Sequence, residues 1–433
     1  MFSNEEEKLM KYNQNLEQLA LNEDKLNEAI EAGFRKAQFD KKKRKKWWLN
    51  AAVVAALFFI FFTSIRVSPA FANYIAEIPG MEKIVELIRH DKGIMTAIEH
   101  DYYEPIEVSE KKNGMEVVID GAIVDEHGLV LFYTINSEKK QTEIMMENVV
   151  LKNMKGEEVK YGSHSFGTPH YSEKGEKTFN GTIEYFFENP FAERELQLEI
   201  ELKGDTYNLP FTLKGEIKAK KTYAINQTVT IEGQKIHLVE ATVYPLRVGV
   251  HVKLDPNNTK KLLEFEDLRL VDGNGETWSK IKNGITKNVL SGDEWLIYLQ
   301  SNYFKEPEEL YLAFNKIQAL DKEDSSLVID TEKEEIIEQP KGNKLRDLTV
   351  STNEIRVNLY TEKEFPYGLF NEVVNGEGKK IDIDSSFWSG YRDEGYAAIG
   401  VQIPHLKSQP NPLTLELSFF PEWIYGEEKI RIK

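Results

Sequence analysis

The chain has 433 residues, enough for roughly three domains of about 150 residues, and it carries a formal net charge of −17. It contains no cysteine, which excludes disulfides and thiolate metal sites, so its stability depends on burying apolar area. Residues 1–46 carry nine acidic and eleven basic side chains, whereas 63 acidic and 44 basic side chains follow, a surplus that argues against nucleic acid as a partner.

An amphipathic helical segment is predicted within residues 1–46. Ser3 and Glu6 form a capping-box pattern, and no proline interrupts the segment. Positions spaced three and four residues apart from Leu9 onward are mostly apolar, so they would form an apolar stripe along one helix face. The segment would be one long helix broken near Asn22, or two short helices. The stripe residues that we expect to bind a partner are Leu16, Leu19, Leu26, Ile30 and Phe34.

The charge around this stripe indicates the kind of partner. Residues 5–32 hold eight acidic and three basic side chains, which would complement a basic protein surface. A homodimeric coiled coil, which Glu23 and Gly33 would weaken, and a disordered tail are the alternatives.

A single transmembrane helix is predicted over residues 47–66. Leu49 to Ile65 is an apolar run of seventeen residues with few polar interruptions, and about 20 residues span a bilayer core. Because the basic cluster precedes the run, the positive-inside rule puts residues 1–46 in the cytoplasm and the remainder outside. The side chains expected at the membrane interface are Lys41, Lys42, Lys43, Arg44, Lys45, Lys46, Trp47 and Trp48.

A secretory signal peptide is the main alternative to this anchor. A basic cluster, an apolar run and Ala70-Phe71-Ala72 resemble its three parts, but the run exceeds the roughly 7–15 residues typical of a signal peptide. A buried core helix of a soluble protein is the remaining alternative.

Residues 67–104 form a predicted juxtamembrane helical segment. Pro79 suits a first helical position, and Met81, Ile84, Val85 and Ile88 follow the spacing of one helix face. This helix is expected either at the outer membrane face or packed on the first outer domain.

From about Gly114 the alternation of apolar and polar residues is typical of β-strands, and residues 125–128 read as the turn of a hairpin. The predicted fold class is mainly β, with tandem antiparallel, immunoglobulin-like β-sandwich domains outside the cell. Their expected bounds are 105–218, 219–340 and 341–433.

A recurring pattern supports three related β units. Residues 148–161, 268–279 and 371–383 each contain an apolar run, a glycine-containing turn and a second run. A proline and an alternating strand follow each time. Pro190, Pro307 and Pro412 are 117 and 105 residues apart, close to the roughly 100 residues of an immunoglobulin-like domain.

No catalytic residue, metal site or cofactor is predicted, and the protein is not expected to be an enzyme. His164 and His170 lie in a loop-like stretch, and residues 272–276 suit a hairpin turn better than a calcium loop. Asp382 and Asp384 fit a solvated strand face. Three aromatic residues suit a core better than a sugar-binding surface: Trp388, Tyr391 and Tyr396.

The order of these parts resembles the membrane-anchored anti-sigma factors of Gram-positive bacteria, of the extracytoplasmic-function type with an outer domain of unknown function. The resemblance covers residues 22–140 and is most specific at Ser68-Pro69-Ala70-Phe71-Ala72 and Ile78-Pro79-Gly80-Met81. The chain departs from the zinc-containing class, whose site requires cysteine.

The resemblance implies that the cytoplasmic helix sequesters a sigma factor while the extracellular β domains sense the state of the cell envelope. The expected partners are therefore a sigma factor, membrane lipid, and an unknown extracellular ligand or wall component. The alternative is a cell-surface structural or binding protein whose tail only anchors or dimerises it.

Overall fold

The computed structural model describes residues 90–281, 287–391 and 395–433, together with Lys8, Met10, Lys11, Leu87 and Ile88. The chain divides into the units Met1–Asn73 and Tyr74–Lys433. In the described part of the chain, no helix is long and apolar enough to cross a membrane. The predicted span, residues 47–66, lies outside the described residues.

The α-helix whose whole length is described, α1, occupies Lys92–Glu99 within the predicted juxtamembrane segment. The Asp91 side chain caps its amino terminus by accepting a hydrogen bond from the backbone N–H of Ile94 at 3.0 Å. Its buried face includes Ile94, Ala97 and Ile98, so the helix packs against the β structure. The helix predicted from Met81 to Ile88 falls mostly outside the described residues, but Leu87 and Ile88 are described and are helical.

Antiparallel β-sheets make up most of the described chain, which confirms the prediction of a mainly β fold. The first β unit consists of β1 Glu104–Lys112, β2 Met115–Val124, β3 Gly128–Ile144, β4 Met146–Asn153, β5 Ser163–Phe166, β6 His170–Phe186, β7 Glu195–Leu202 and β8 Asp205–Thr212. Its sheets have the orders β1-β2-β3-β6-β5 and β4-β7-β8. Burial alternates along β7, and both sheets contribute to one apolar core.

The second β unit begins after a linker. It consists of β9 Lys221–Ile231, β10 Gln234–Val243, β11 Arg247–Leu254, β12 Lys260–Phe265, β13 Arg269–Asp272, β14 Thr277–Trp278, β15 Lys287–Ser291, β16 Glu294–Gln300 and β17 Leu310–Asp321. One sheet has the order β15-β16-β11-β10-β9, and the other has the order β12-β17-β13-β14. The two sheets again share one core, with Trp278 and Phe314 among its fully buried side chains.

The third β unit consists of β18 Ser326–Asp330, β19 Glu335–Glu338, β20 Leu345–Val350, β21 Glu354–Tyr360, β22 Phe370–Val374, β23 Lys380–Ile381, β24 Ser385–Tyr391, β25 Tyr396–Gln402 and β26 Leu413–Leu417. Its sheet orders are β19-β18-β26-β22-β23 and β20-β21-β25-β24. Short 3-10 turns occupy Lys322–Asp324 and Leu406–Ser408.

The sequence pattern that recurs three times has the same strand pairing each time. The strand before the glycine-containing turn pairs antiparallel with the strand after the proline: β4 with β7, β13 with β17, and β22 with β26. The turn predicted at residues 125–128 joins β2 and β3, which pair as expected.

The last strand, β27 at Trp423–Arg431, leaves the third unit and pairs with β17 of the second. Ile424 and Ile430 lie in the core of the second unit, and Leu263 and Leu320 lie in the core of the third. The third unit therefore contributes β27 to a sheet of the second, and side chains of β12 and β17 pack into the core of the third. The domain bounds at 105–218, 219–340 and 341–433 stay predictions.

Candidate functional site

The residues predicted to bind a partner lie outside the described residues; they are Leu16, Leu19, Leu26, Ile30 and Phe34. The same holds for the predicted membrane-interface side chains, Lys41, Lys42, Lys43, Arg44, Lys45, Lys46, Trp47 and Trp48. The site that the structure itself offers is the junction where α1, the first β unit and the second β unit meet.

Helix α1 is held against the second β unit by its first turn. The Gln300 side chain donates to the carbonyl oxygen of His90 at 2.9 Å, and the Lys92 ammonium donates to the carbonyl oxygen of Thr277 at 2.9 Å. A Cβ atom at Gly93 would lie 2.6 Å from the backbone nitrogen of Ser301. Only glycine therefore allows the helix to approach this closely.

The residues after α1 reach the first β unit as well. The Tyr103 ring lies 5.6 Å from the buried Phe132 of β3, edge to face. The His100 ring stacks at 5.1 Å on Phe304 of the second unit. Residues 100–103 thus bridge the two units immediately after the helix.

The two β units also contact each other directly through their turns. The Asp125 carboxylate accepts hydrogen bonds from the backbone N–H of His127 and of Leu246, each at 2.9 Å. The His127 ring lies 5.1 Å from the Tyr244 ring. The turn at residues 125–128 of the first unit is therefore bonded to, and packed against, residues 244–246 of the second unit.

Burial sets the electrostatics of two carboxyl groups at the junction. Asp91 is half-buried by its surface area, and burial raises its pKa from 3.8 to about 6. The hydrogen bonds from the backbone N–H groups of Ile94 and Gly93 and the positive charge of Arg247 oppose this shift. Burial also raises the pKa of Asp125, against the opposing charge of Arg247 and the hydrogen bonds from Leu246 and His127. The junction therefore holds two carboxyl groups whose charge is disfavoured.

Arg247 lies at the centre of this arrangement and is 3% exposed. Its guanidinium carbon stacks 3.5 Å from the centre of the Phe186 ring and 5.7 Å from that of Tyr298. A Cβ atom at Gly128 would lie 2.3 Å from Nη2, so this glycine makes room for the guanidinium. Nη2 is 3.5 Å from the carbonyl oxygen of Tyr185.

A cavity of about 300 Å³ adjoins Arg247. Its other lining residues are His127, Phe187, Glu188, Tyr244, Asn288, Val289, Leu290, Leu296 and Tyr298. Nε and Nη1 of Arg247 are buried and have no hydrogen-bond acceptor among the described residues. Sequence reasoning missed this site, because an arginine at the start of a strand gives no signal of burial.

A larger cavity of about 1010 Å³ lies between the second and third β units. Two of its lysines are paired with carboxylates: Lys260 contacts Asp321 at 2.8 Å, and Lys261 contacts Glu416 at 2.9 Å. Lys287 lies 3.9 Å from the centre of the Trp295 ring. Burial lowers the pKa of Lys287.

Several residues singled out in the sequence serve the fold. His170 Nε2 lies 2.8 Å from the Tyr133 hydroxyl, and His164 stacks on Phe166 at 5.4 Å. The Asp272 carboxylate accepts from the backbone N–H of Asn274 and Glu276 at 2.9 and 2.7 Å, as a turn requires. Within the described ranges, no three His, Asp or Glu side chains are placed to hold a metal ion.

The remaining candidates lie in the third β unit. Asp382 and Asp384 are exposed, as expected, but they lie in the connection between β23 and β24 and not on a strand face. Trp388 is half-buried against the third core, and the Tyr396 ring lies 5.2 Å from Tyr360. The side chain of Tyr391 lies outside the described residues.

Two families match parts of the chain, and both are of unknown function. Residues 42–137 match “Domain of unknown function (DUF4179)”, and residues 220–345 match “Family of unknown function (DUF5643)”. The first match lies within the region of the resemblance to anti-sigma factors. No curated protein matches the chain.

Two solved structures are similar to parts of the chain. The conserved domain protein from Bacillus anthracis is 14% identical with a TM-score of 0.39, and the likeness covers 55% of this chain and 84% of that one. The I9-I11 tandem from titin is 8% identical with a TM-score of 0.13, covering 71% of this chain and 92% of that one. At these TM-scores neither likeness bears on fold or function.

Proposed function

We propose that this protein is a single-pass membrane anti-sigma factor. Its cytoplasmic helix sequesters an extracytoplasmic-function sigma factor, and its extracellular β units sense the state of the envelope. The proposal includes no enzymatic activity and no cofactor. It assigns the paired sheets to immunoglobulin-like sandwiches and the chain to the cell membrane, with residues 1–46 in the cytoplasm.

The observation that carries the proposal is the acidic segment with an apolar stripe that directly precedes the basic cluster and the apolar run. Such a stripe is stabilised by burial against a partner, and its acidic neighbours favour a basic one. The family resemblance around residues 22–140 names a sigma factor as that partner. In the sequence, α1 follows the predicted span, and in the structure it packs on the second β unit.

Capture of the full-length protein from membranes of its source cells tests the proposal. A carboxy-terminal affinity tag leaves the inner segment free, and mild detergent keeps the membrane protein in solution. A sigma factor should be captured with the full chain and lost when residues 1–39 are deleted. Capture of wall components or surface proteins alone, without a sigma factor, would favour the surface-protein alternative.

A further inference from the structure

We infer that the cavity beside Arg247 is a binding site for a small organic carboxylate with an apolar body. This inference does not depend on the proposed function, because the site lies between the first and second β units and involves no inner residue. It starts from the chemistry of the buried guanidinium.

A guanidinium stacked on an aromatic ring directs its N–H groups sideways, in its own plane. Arg247 is stacked in this way on Phe186, so its ring contact cannot satisfy Nε or Nη1. Both donors are buried, and no described residue accepts from them. Burying such charged donors is costly unless an acceptor completes the site.

The neighbouring carboxylate does not fill this role. Both oxygens of Asp125 are engaged by backbone N–H groups of His127 and Leu246. Because burial raises the pKa of Asp125, its charge is itself disfavoured, and it compensates Arg247 only at a distance. An oxyanion within the cavity would supply both the charge and the acceptors.

The remaining cavity wall determines the rest of the ligand. Phe187, Leu296 and Tyr298 provide apolar and aromatic surface, and Val289 and Leu290 are 53% and 52% exposed. Exposed aliphatic side chains beside a cavity suit contact with an apolar group.

The size and charge of the site are consistent with one small monoanion. A volume of about 300 Å³ holds about ten groups the size of a water molecule. Glu188 also lines the cavity, but it is exposed and therefore screened by solvent.

Benzoate and its neutral analogue benzamide test the inference, with inorganic phosphate as a second oxyanion. Each is titrated at pH 7 into the full chain in detergent micelles, with calorimetry and thermal shift as readouts. Benzoate should bind saturably and raise the melting temperature. Benzamide and phosphate should bind at least about tenfold more weakly, since one lacks charge and the other lacks an apolar body.

Variants locate the site. Arg247→Met should reduce benzoate affinity by about tenfold or more, whereas Arg346→Met, at an exposed arginine that also stacks on a tyrosine ring, should not. Because Arg247→Met removes a buried side chain, the exposed position Val289 provides a second test. Val289→Asp should weaken benzoate binding, and the similarly sized, uncharged Val289→Asn should weaken it less.

Three results would overturn the inference. The first is the absence of saturable benzoate binding to the wild-type chain. The second is binding that Arg247→Met and Val289→Asp leave unchanged. The third is phosphate binding as tight as that of benzoate, which would exclude an apolar carboxylate as the ligand class.

Discussion

The carboxylate of Asp125 accepts a hydrogen bond from the backbone N–H of Leu246 at 2.9 Å, across 121 residues of sequence. This bond joins the hairpin turn of the first β unit to a turn of the second. The same carboxylate also orders its own turn through the backbone N–H of His127. One side chain therefore holds two turns from different units.

We expect Asp125→Ala to loosen this junction. The change leaves two backbone donors without their acceptor, which costs about 1–3 kcal/mol for a buried group. Hydrogen exchange should accelerate at the amides of His127 and Leu246, and the melting temperature should fall. Asp382→Ala, at an exposed carboxylate, is the matched control. Unchanged exchange at Leu246 would show that this contact does not hold the units together.

The sequence predicted the turn at residues 125–128 but not its partner. Strand alternation and a glycine are local signals, so hairpins and their burial patterns can be read from them. The contact with Leu246 depends on long-range packing, and the residues of a polar turn give no sign that one of them is buried. The burial of Arg247 also has no local signal in the sequence, because charged residues at strand ends usually face solvent.

The return of β27 to the second β unit has the same explanation. An alternating strand pattern does not identify a partner, and β17, which pairs with β27 at Trp423–Arg431, lies more than 100 residues earlier. Any edge with a compatible face would satisfy the pattern. By contrast, the threefold pattern was informative because the same two strands pair in each unit.

Protonation of Asp91 should make the junction more stable in mild acid. Its pKa is about 6 in the folded chain and 3.8 as a reference, so the folded state holds the proton more tightly. The contribution of this group to the free energy of unfolding therefore increases as the pH falls from about 7 towards 4. Burial shifts the pKa of Asp125 in the same direction.

Asp91→Asn isolates this contribution, because asparagine keeps a capping oxygen without the charge. The melting temperature of Asp91→Asn relative to the wild-type protein should be highest at pH 7.5 and should decline towards pH 5. Asp91→Ala, which removes the cap, should lower stability by about 1 kcal/mol. A difference between Asp91→Asn and wild type that is independent of pH would contradict the assignment.

Removing Glu264 should destabilise the second β unit strongly. Glu264 is 1% exposed and pairs with Lys280 and, at 3.6 Å, with Lys287. Glu264→Ala leaves two largely buried ammonium groups without their carboxylate, which typically costs about 3–5 kcal/mol. Urea unfolding followed by tryptophan fluorescence measures the loss, and Trp295 beside Lys287 is a local reporter.

Lys287→Met provides the comparison for that result. Burial already disfavours the charge of Lys287, so replacing it by an apolar side chain of similar length should cost much less than Glu264→Ala. Equal losses of unfolding free energy for Glu264→Ala and Lys287→Met would contradict this expectation. They would mean that losing the attraction of the ion pair costs more than leaving a buried charge without a partner.

Protease added to intact protoplasts should remove the β units and leave a membrane-bound fragment of about 70 residues. The reason is the cluster of basic residues at 41–46, opposed by Arg66 alone on the far flank. Immunoblotting with an antibody to residues 1–40 detects the fragment. Loss of that epitope with survival of the β units would establish the inverted topology.

Sequestration of a sigma factor by the inner stripe is the central claim, and transcription of the sigma-dependent genes in living cells tests it most directly. Ile30→Asp together with Phe34→Asp should release the sigma factor, because a few apolar side chains usually dominate such interfaces. Lys25→Ala and Gln38→Ala are the controls. Transcription should rise in the double variant alone, with normal amounts of protein in the membrane. Unchanged transcription in a correctly inserted double variant would contradict it.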